Sequence, residues 1–255
     1  MDKTDRQFFA ENGYLNLGKV LSDAEVERHL AFYDRDWDEF GYFWKPLGQH
    51  QTINCHALVS WPEIDELIRH PRLVAPMQDL MGGPICFSEV CVRHMAPYEG
   101  NRHQSFHRDR PHWLEHPLRM DYIQVMLYLS DVGPETHCFS LSPESIHDEI
   151  LAKEKQLEKA GSVDMHGPAG SAVIFNISVL HTATVRPTQQ QRKTVQTYYG
   201  HPQRSWLSND SVIPTSLWRD NGDPEVRSFY SNLNPKSCAY AAAFGTGTVL
   251  QMERA

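Results

Sequence analysis

The pattern of apolar and polar positions divides the chain into a helical part and a β-rich part. In the first third, apolar residues recur at helical spacing, and Ser22 with Glu25 fits a capping box at the start of one helix. Two further helices are predicted over residues 61–70 and 73–81, the second ended by a Gly-Gly-Pro sequence. The pattern therefore predicts a helical N-terminal part over about residues 1–84.

Runs rich in β-branched and aromatic residues follow, separated by proline and glycine. They predict strands over residues 85–95, 122–132, 172–180 and 192–199, with a charged helical insert over residues 148–160. Strands at long intervals, with the helices collected at the N-terminus, predict a mainly β fold, a sandwich or barrel-like core with a helical buttress. Strands do not alternate with crossover helices, so a Rossmann-type sheet is disfavoured.

Composition narrows the class of protein further. The 255 residues are 40% hydrophobic and 22% charged, which fits one large globular domain. The net charge of −8 lacks the basic excess of a general nucleic-acid binder. No apolar run approaches the roughly 20 residues that span a bilayer, and the N-terminus has no signal-peptide core. The five scattered cysteines form no CxxC pair, so we expect reduced thiols in a cytoplasmic protein, of unknown oligomeric state.

Two histidines and one aspartate form a candidate metal site. His107 and Asp109 are two positions apart, so in an extended segment they project from the same face. His181 ends a predicted strand 74 positions after His107 (181 − 107) and supplies a third candidate ligand. Two imidazoles and one carboxylate favour iron(II) with open coordination positions, although zinc, cobalt or nickel also bind such a set. With 14 histidines in the chain, an H-x-D tripeptide alone also arises by chance.

Arg192 follows His181 by eleven positions (192 − 181), at the start of the last predicted strand. A guanidinium matches a carboxylate in planar geometry. A dicarboxylate cosubstrate that chelates iron through a keto-acid end would place its far carboxylate near this arginine. The alternative is an ordinary surface arginine beside Lys193.

Other residues of these strands are candidates for the same pocket. If Arg192 points inward, Thr194, Gln196 and Tyr198 share its face, and Thr194 is expected to help hold the cosubstrate. Gln124 lies on an otherwise aromatic face, where a buried amide needs a partner, so we predict that it contacts cosubstrate or substrate.

The strand predicted over residues 85–95 has one face with Glu89 and Arg93 and another with Val90, Val92 and His94. The apolar face is expected to point toward the core, which would turn His94 inward. His94 is then either a core histidine with satisfied hydrogen bonds or a cosubstrate contact.

Together these segments resemble the phytanoyl-CoA dioxygenase-like family of iron(II)- and 2-oxoglutarate-dependent oxygenases. The similar motifs are F-x-x-x-G-Y near the N-terminus, H-x-D at residues 107–109, a "P-G-S-H" turn at residues 143–147 with its glycine replaced, the G-S-A-V-I-F strand at residues 170–175, and the spacing from His181 to Arg192. The resemblance implies a double-stranded β-helix (a cupin-like jelly roll) as a single domain over residues 1–255, with the jelly-roll core over about residues 85–255.

The resemblance also implies a function. His107, Asp109 and His181 would bind Fe(II), and Arg192 would bind 2-oxoglutarate, with O2 as the oxidant. The expected reaction is oxidation, by hydroxylation first, of an unactivated C–H bond in a small-molecule metabolite, natural-product biosynthesis included. Asp109 disfavours halogenation, because the related halogenating enzymes lack this carboxylate.

Three alternatives stay open at this stage. The same residues would serve desaturation, epimerisation or ring formation. A cupin-like metal-dependent isomerase or hydrolase would use the metal as a Lewis acid and would need neither Arg192 nor O2. A non-catalytic jelly-roll binding module would tolerate loss of Asp109.

Overall fold

The computed structural model describes residues 1–244. The strands are β1 (Tyr14–Lys19), β2 (Lys45–Leu47), β3 (Gln51–Asn54), β4 (Cys86–Met95), β5 (Tyr122–Tyr128), β6 (Cys138–Leu141), β7 (Val163–Met165), β8 (Ser171–Asn176), β9 (His181–Thr184) and β10 (Arg192–Gly200). The α-helices are α1 (Lys3–Asn12), α2 (Asp23–Glu39), α3 (Ala57–Ser60), α4 (Asp65–Ile68), α5 (Pro71–Met81), α6 (Lys153–Ala160), α7 (Thr215–Trp218), α8 (Pro224–Phe229) and α9 (Pro235–Phe244). Short 3₁₀ helices occupy Gly41–Phe43 and Pro62–Ile64.

The strands form two antiparallel sheets. The larger sheet has the order β1-β8-β5-β10-β4-β3-β2, and the smaller sheet has the order β7-β6-β9. Phe139 of the small sheet packs against Phe175 of the large one, with ring centroids 4.6 Å apart. The two sheets therefore enclose an interior between them, as in a jelly roll.

The large sheet is covered on both faces, and the two faces differ in chemistry. Its outer face carries Val90, Val92 and Val195, which pack with apolar residues of α2 to α5 in the larger hydrophobic core. Its inner face holds a smaller core that includes Met126 and Tyr128. The residues of β4 and β10 that project inward are mostly polar, so the jelly-roll interior combines a small apolar cluster with a polar end.

Most elements predicted from periodicity are confirmed with shifted ends. Ser22 caps α2 as predicted, since its backbone N–H donates to Glu25 Oε2 at 2.8 Å and the Glu25 N–H donates to Ser22 Oγ at 3.3 Å. The helix expected over residues 61–70 is instead a 3₁₀ turn followed by α4. The charged insert is helical only over α6.

The division between the two parts of the chain requires a correction. The N-terminal 84 residues contribute β1 to one end of the large sheet and β2 and β3 to the other. They are therefore a structural component of the jelly roll as well as its buttress. Strands this short bury few residues each, so the periodicity of the sequence did not reveal them. Within residues 1–244, no helix combines the length and apolar character required to traverse a lipid bilayer.

Candidate metal centre and cosubstrate site

His107 and His181 lie directly opposite each other on neighbouring backbone segments. The N–H of each donates to the C=O of the other at 3.0 Å, which is a local antiparallel pair. The Asp109 N–H donates to the carbonyl of Ile177 at 3.1 Å, which extends this pairing. The fold thus brings the His107–Asp109 segment next to His181, which is 74 positions away from His107 in the sequence.

The three side chains converge on one point. His107 Nε2 lies 3.3 Å and His181 Nε2 lies 3.6 Å from Asp109 Oδ1. The side chain of His107 is 49% exposed, while those of Asp109 and His181 are 19% and 7% exposed. The site is therefore buried on one side and open to solvent through His107.

The backbone fixes the tautomer of both imidazoles. His107 Nδ1 lies 3.0 Å from the carbonyl oxygen of Ser105, and His181 Nδ1 lies 3.0 Å from that of Val179. A carbonyl only accepts, so each Nδ1 carries a proton. Each Nε2 can therefore donate to Asp109 when the imidazole is protonated, and presents a lone pair to a metal when the imidazole is neutral. The Tyr198 hydroxyl donates to Asp109 Oδ2 at 3.2 Å, which leaves Oδ1 facing the imidazoles.

The charge of Asp109 is strongly favoured. Burial alone would raise the pKa of this carboxyl, but hydrogen bonds with His107 and His181 outweigh it and hold the pKa well below its usual range. The same contact with Asp109 raises the pKa of His107. Two neutral nitrogen donors, one carboxylate and an open side match the ligand set of a mononuclear iron(II) centre, so these residues fit the metal that the sequence predicts.

A cavity of about 270 Å³ extends from this triad to Arg192. Arg192 is 1% exposed, and its Nε and Nη1 atoms are buried without a hydrogen-bond partner. Among residues 1–244 it forms no ion pair. A buried, unpaired guanidinium that borders a cavity is the arrangement required to bind a carboxylate of a ligand.

The structure places the other predicted residues of β5 and β10 on the inner face. Gln124 and Gln196 both line the cavity, and Gln124 Nε2 donates to Gln196 Oε1 at 2.9 Å. Thr194 lies on the same face of β10, opposite Tyr128 on β5, with its Oγ1 buried and unpaired. The alternation proposed for both strands is thus observed, while direct contact with a cosubstrate stays a prediction.

The face predicted for His94 is wrong. His94 lies opposite Lys193 on the outer face of β4, where its ring packs on Trp37 at 4.6 Å and its Nε2 contacts Gln191 at 3.0 Å. Arg93 lines the cavity instead. The apolar face of β4 packs on the helices, so apolar character indicated the outer face and not the jelly-roll interior.

Glu144 connects the two backbone segments that carry the candidate metal ligands, a role that the sequence analysis did not predict. Its Oε1 accepts from the Leu180 N–H at 2.8 Å, next to His181, and its Oε2 accepts from Arg108 at 2.7 Å, inside the H-x-D segment. Burial alone would raise the pKa of the Glu144 carboxyl. Hydrogen bonds with His112, Arg108 and the Leu180 backbone outweigh this effect, so the pKa is lowered. The replaced glycine of the "P-G-S-H" turn was the only signal in the sequence for this residue.

Comparison with known proteins identifies the family of the chain. The family model for phytanoyl-CoA dioxygenase (PhyH) matches residues 9–194. L-Proline trans-4-hydroxylase from Streptomyces griseoviridis is 23% identical over 261 residues, covering 83% of this chain and 95% of that protein.

Solved structures show the same fold. The α-ketoglutarate-dependent carbocyclase SnoK from nogalamycin biosynthesis superposes with a TM-score of 0.68 at 19% identity, covering 81% of this chain and 86% of that one. EctD from S. alaskensis, with 2-oxoglutarate and 5-hydroxyectoine, superposes with a TM-score of 0.69 at 16% identity, covering 89% and 86%. With the family model spanning most of the chain and the fold shared, this protein belongs to the phytanoyl-CoA dioxygenase (PhyH) family.

Proposed function

We propose that this protein is an iron(II)- and 2-oxoglutarate-dependent dioxygenase that hydroxylates an unactivated C–H bond of a small molecule. The observation that carries the proposal is the convergence of His107, Asp109 and His181 beside a buried arginine without a partner. A structural metal site would close its coordination sphere with protein ligands, whereas this one offers three ligands and an open side.

His107, Asp109 and His181 are the residues that would hold the iron. Iron(II) with 2-oxoglutarate and O2 supplies the oxidation of a C–H bond, with succinate and carbon dioxide as coproducts. The protein fixes the donor atoms in advance, because backbone carbonyls orient both imidazoles and Tyr198 orients the carboxylate.

Arg192 would bind the distal carboxylate of 2-oxoglutarate. Its guanidinium is desolvated in the folded protein, so a bidentate carboxylate restores hydrogen bonds that burial has removed. Thr194 is proposed to complete this end of the cavity through its unpaired hydroxyl. Gln124 lies opposite Tyr198 in the sheet register, so its amide is proposed to contact the cosubstrate nearer to the metal ligands. A metal-dependent isomerase would have no use for a buried arginine at this place.

The proteins that this chain resembles catalyse several different reactions. Their names describe a hydroxylase, a carbocyclase and an epimerase, all of small molecules, and SnoN was solved with Fe3+, α-ketoglutarate and nogalamycin RO. We therefore propose a small-molecule substrate, and keep cyclisation, epimerisation and desaturation as products of the same site. Five cysteines without a disulfide are in keeping with the proposed cytoplasmic location.

Anaerobic loading followed by exposure to oxygen tests the proposal. The protein is supplied with Fe(II) and 2-oxoglutarate, O2 is admitted with a panel of metabolites, and succinate is measured. We expect succinate that depends on all three components and is lost in Asp109→Ala. Asp164→Asn is the matched control. Asp164 lies in a separate Cys138–Asp164–His166 cluster, and its Oδ2 forms an ion pair with Arg186 Nη2 at 2.6 Å.

Two results would contradict the proposal. Succinate formation that is equal in Asp109→Ala and wild type would place the reaction elsewhere. A metal-dependent product that forms without O2 and without 2-oxoglutarate would favour the isomerase. Mass spectrometry of the product then separates insertion of oxygen from loss of hydrogen.

A further inference from the structure

A second cavity extends from the metal triad along the inner face of β4. Its volume is about 310 Å³, and it shares Leu47, Arg93, Asp109 and Tyr198 with the cavity that reaches Arg192. Its apolar lining consists of Leu47, Ile53 and Leu207. A compound held here lies beside the metal ligands and leaves the Arg192 end free for the cosubstrate.

Arg93 gives this cavity a positive charge. Its Nη1 donates to the neutral amide oxygen of Gln51 at 2.9 Å, and its Nε is buried without a partner. None of the ion pairs formed within residues 1–244 includes Arg93. Burial of a cation without an anionic partner costs folding free energy. An anionic group of a ligand would therefore be stabilised by binding to the Arg93 guanidinium.

Glu89 gives the same cavity a buried carboxyl group. Its residue is 7% exposed, and Glu89 Oε2 accepts a hydrogen bond from the Ser208 hydroxyl. It too forms no ion pair within the described part of the chain, and the carboxylate of Asp210 lines the cavity beside it. Burial raises the pKa of Glu89 to about 7, partly offset by Ser208, so a nearby ammonium group would favour its charged form.

Glu89 and Arg93 form no ion pair with each other, although the charge of Arg93 favours the charged form of Glu89. Glu89 and Arg93 are four residues apart on one face of β4, which separates their Cα atoms by roughly 13 Å. Tyr198 and Thr194 of β10 lie opposite them in the sheet register and carry no charge that would neutralise either one. A ligand with only an ammonium group would leave the Arg93 guanidinium unpaired, and a ligand with only a carboxylate would leave Glu89 without a cationic partner.

We propose that this second cavity binds the substrate as a zwitterion, an amino acid or a close derivative, with Arg93 binding its carboxylate and Glu89 its ammonium group. The proposal rests on the function proposed above, since it takes the ligand of this cavity to be the compound that is oxidised. The hydrocarbon part of the ligand would pack on the apolar lining and face the metal triad.

Binding measurements test this without relying on turnover. Calorimetry of the metal-free protein, and of protein loaded with Mn(II) and 2-oxoglutarate, is carried out with a library of free α-, β- and ω-amino acids, cyclic ones included. Each is compared with its N-acetyl and methyl-ester forms. We expect at least one free amino acid to bind, and both blocked forms to bind weakly or not at all.

Two variants test which group of the ligand each residue binds. Glu89→Gln keeps an acceptor for Ser208 but loses the negative charge, and Arg93→Met loses the positive one. Truncating one partner of a buried charge pair typically costs enough to weaken binding by roughly 30-fold or more, and we expect this for the amino acid in each variant. Glu66→Gln, which alters a surface pair with Arg28, is the matched control and should bind as wild type does.

The outcomes separate the two proposals. If no free amino acid binds, if blocked forms bind equally well, or if Glu89→Gln retains full affinity, zwitterion recognition is refuted. If Arg93→Met loses affinity for 2-oxoglutarate and keeps it for the amino acid, Arg93 serves the cosubstrate and the assignment is likewise refuted. If the amino acid binds as expected but wild type forms no succinate with Fe(II), 2-oxoglutarate and O2, the zwitterion site stands and the oxygenase function fails.

Discussion

Replacing Arg192 with methionine separates a role in cosubstrate binding from a role in folding. In the ligand-free protein the Arg192 guanidinium is buried, with Nε and Nη1 unpaired. Methionine has a similar length and no charge, so Arg192→Met removes a desolvated cation without a partner. We therefore expect the free energy of unfolding in the absence of 2-oxoglutarate to stay level or to rise.

The cost of the substitution should appear only with 2-oxoglutarate present. Loss of one partner of a buried charge pair costs roughly 2–5 kcal/mol, so the Kd for 2-oxoglutarate should rise by roughly 30-fold or more. A ligand at a hundred times its Kd stabilises the folded state by about 2.7 kcal/mol. At the same concentration, a Kd raised by about 30-fold leaves less than about 1 kcal/mol of this stabilisation.

Urea unfolding with and without 2-oxoglutarate measures both effects, and the KM for 2-oxoglutarate provides a second readout. Arg186→Met is the matched control, because Arg186 is paired with Asp164 at 2.6 Å. It should show the opposite pattern, with lower stability in the absence of ligand and unchanged stabilisation by 2-oxoglutarate. If Arg192→Met keeps the wild-type KM and the wild-type stabilisation, Arg192 is not the carboxylate site.

Three further predictions concern the buried polar framework. Asp36→Ala should lower the free energy of unfolding by roughly 2–5 kcal/mol in urea titrations, because the N–H groups of Trp44 and Asn54, 2.9 and 2.8 Å from Asp36 Oδ2, lose their acceptor. Gly170→Ala should also destabilise, as a lower melting temperature, because Gly170 has a φ of +89° and a methyl group would meet a backbone carbonyl at 3.0 Å; a melting temperature equal to wild type would refute this. Burial lowers the pKa of His29 to about 4, whereas the same side chain has a pKa of about 6.5 in the unfolded chain. As the pH falls, the unfolded chain therefore binds a proton before the folded protein does. The free energy of unfolding should consequently fall by up to about 3 kcal/mol between about pH 6.5 and pH 4. In His29→Leu this fall in the free energy of unfolding should be absent. If the slope of the unfolding free energy against pH is the same as in wild type, His29 is not its cause.

Local spacing was enough to propose candidate ligands but not to predict how they come together. His107 and Asp109 share a face because they are two positions apart in an extended segment, which is a local property. Their pairing with His181 depends on a backbone contact across 74 residues, which periodicity does not encode. The prediction relied on the family resemblance for that step.

The errors have a common physical cause. In this protein the apolar face of β4 packs under the helices and its polar face lines the interior at the site, so apolar character on β4 indicated the wrong side for His94. Arg93 and Glu89 were therefore assigned to the outer face, although both line a cavity. Glu144 was missed because its role depends on two backbone segments that are adjacent only in the fold.

Anaerobic calorimetry of Fe(II) binding in the presence of 2-oxoglutarate measures whether the His107–Asp109–His181 triad binds iron and whether the iron recruits the cosubstrate. We expect one high-affinity iron per chain, tight 2-oxoglutarate binding only when the metal is present, and loss of both in Asp109→Ala. Iron that binds with the same stoichiometry and affinity in Asp109→Ala, or 2-oxoglutarate that binds equally well without metal, would contradict it.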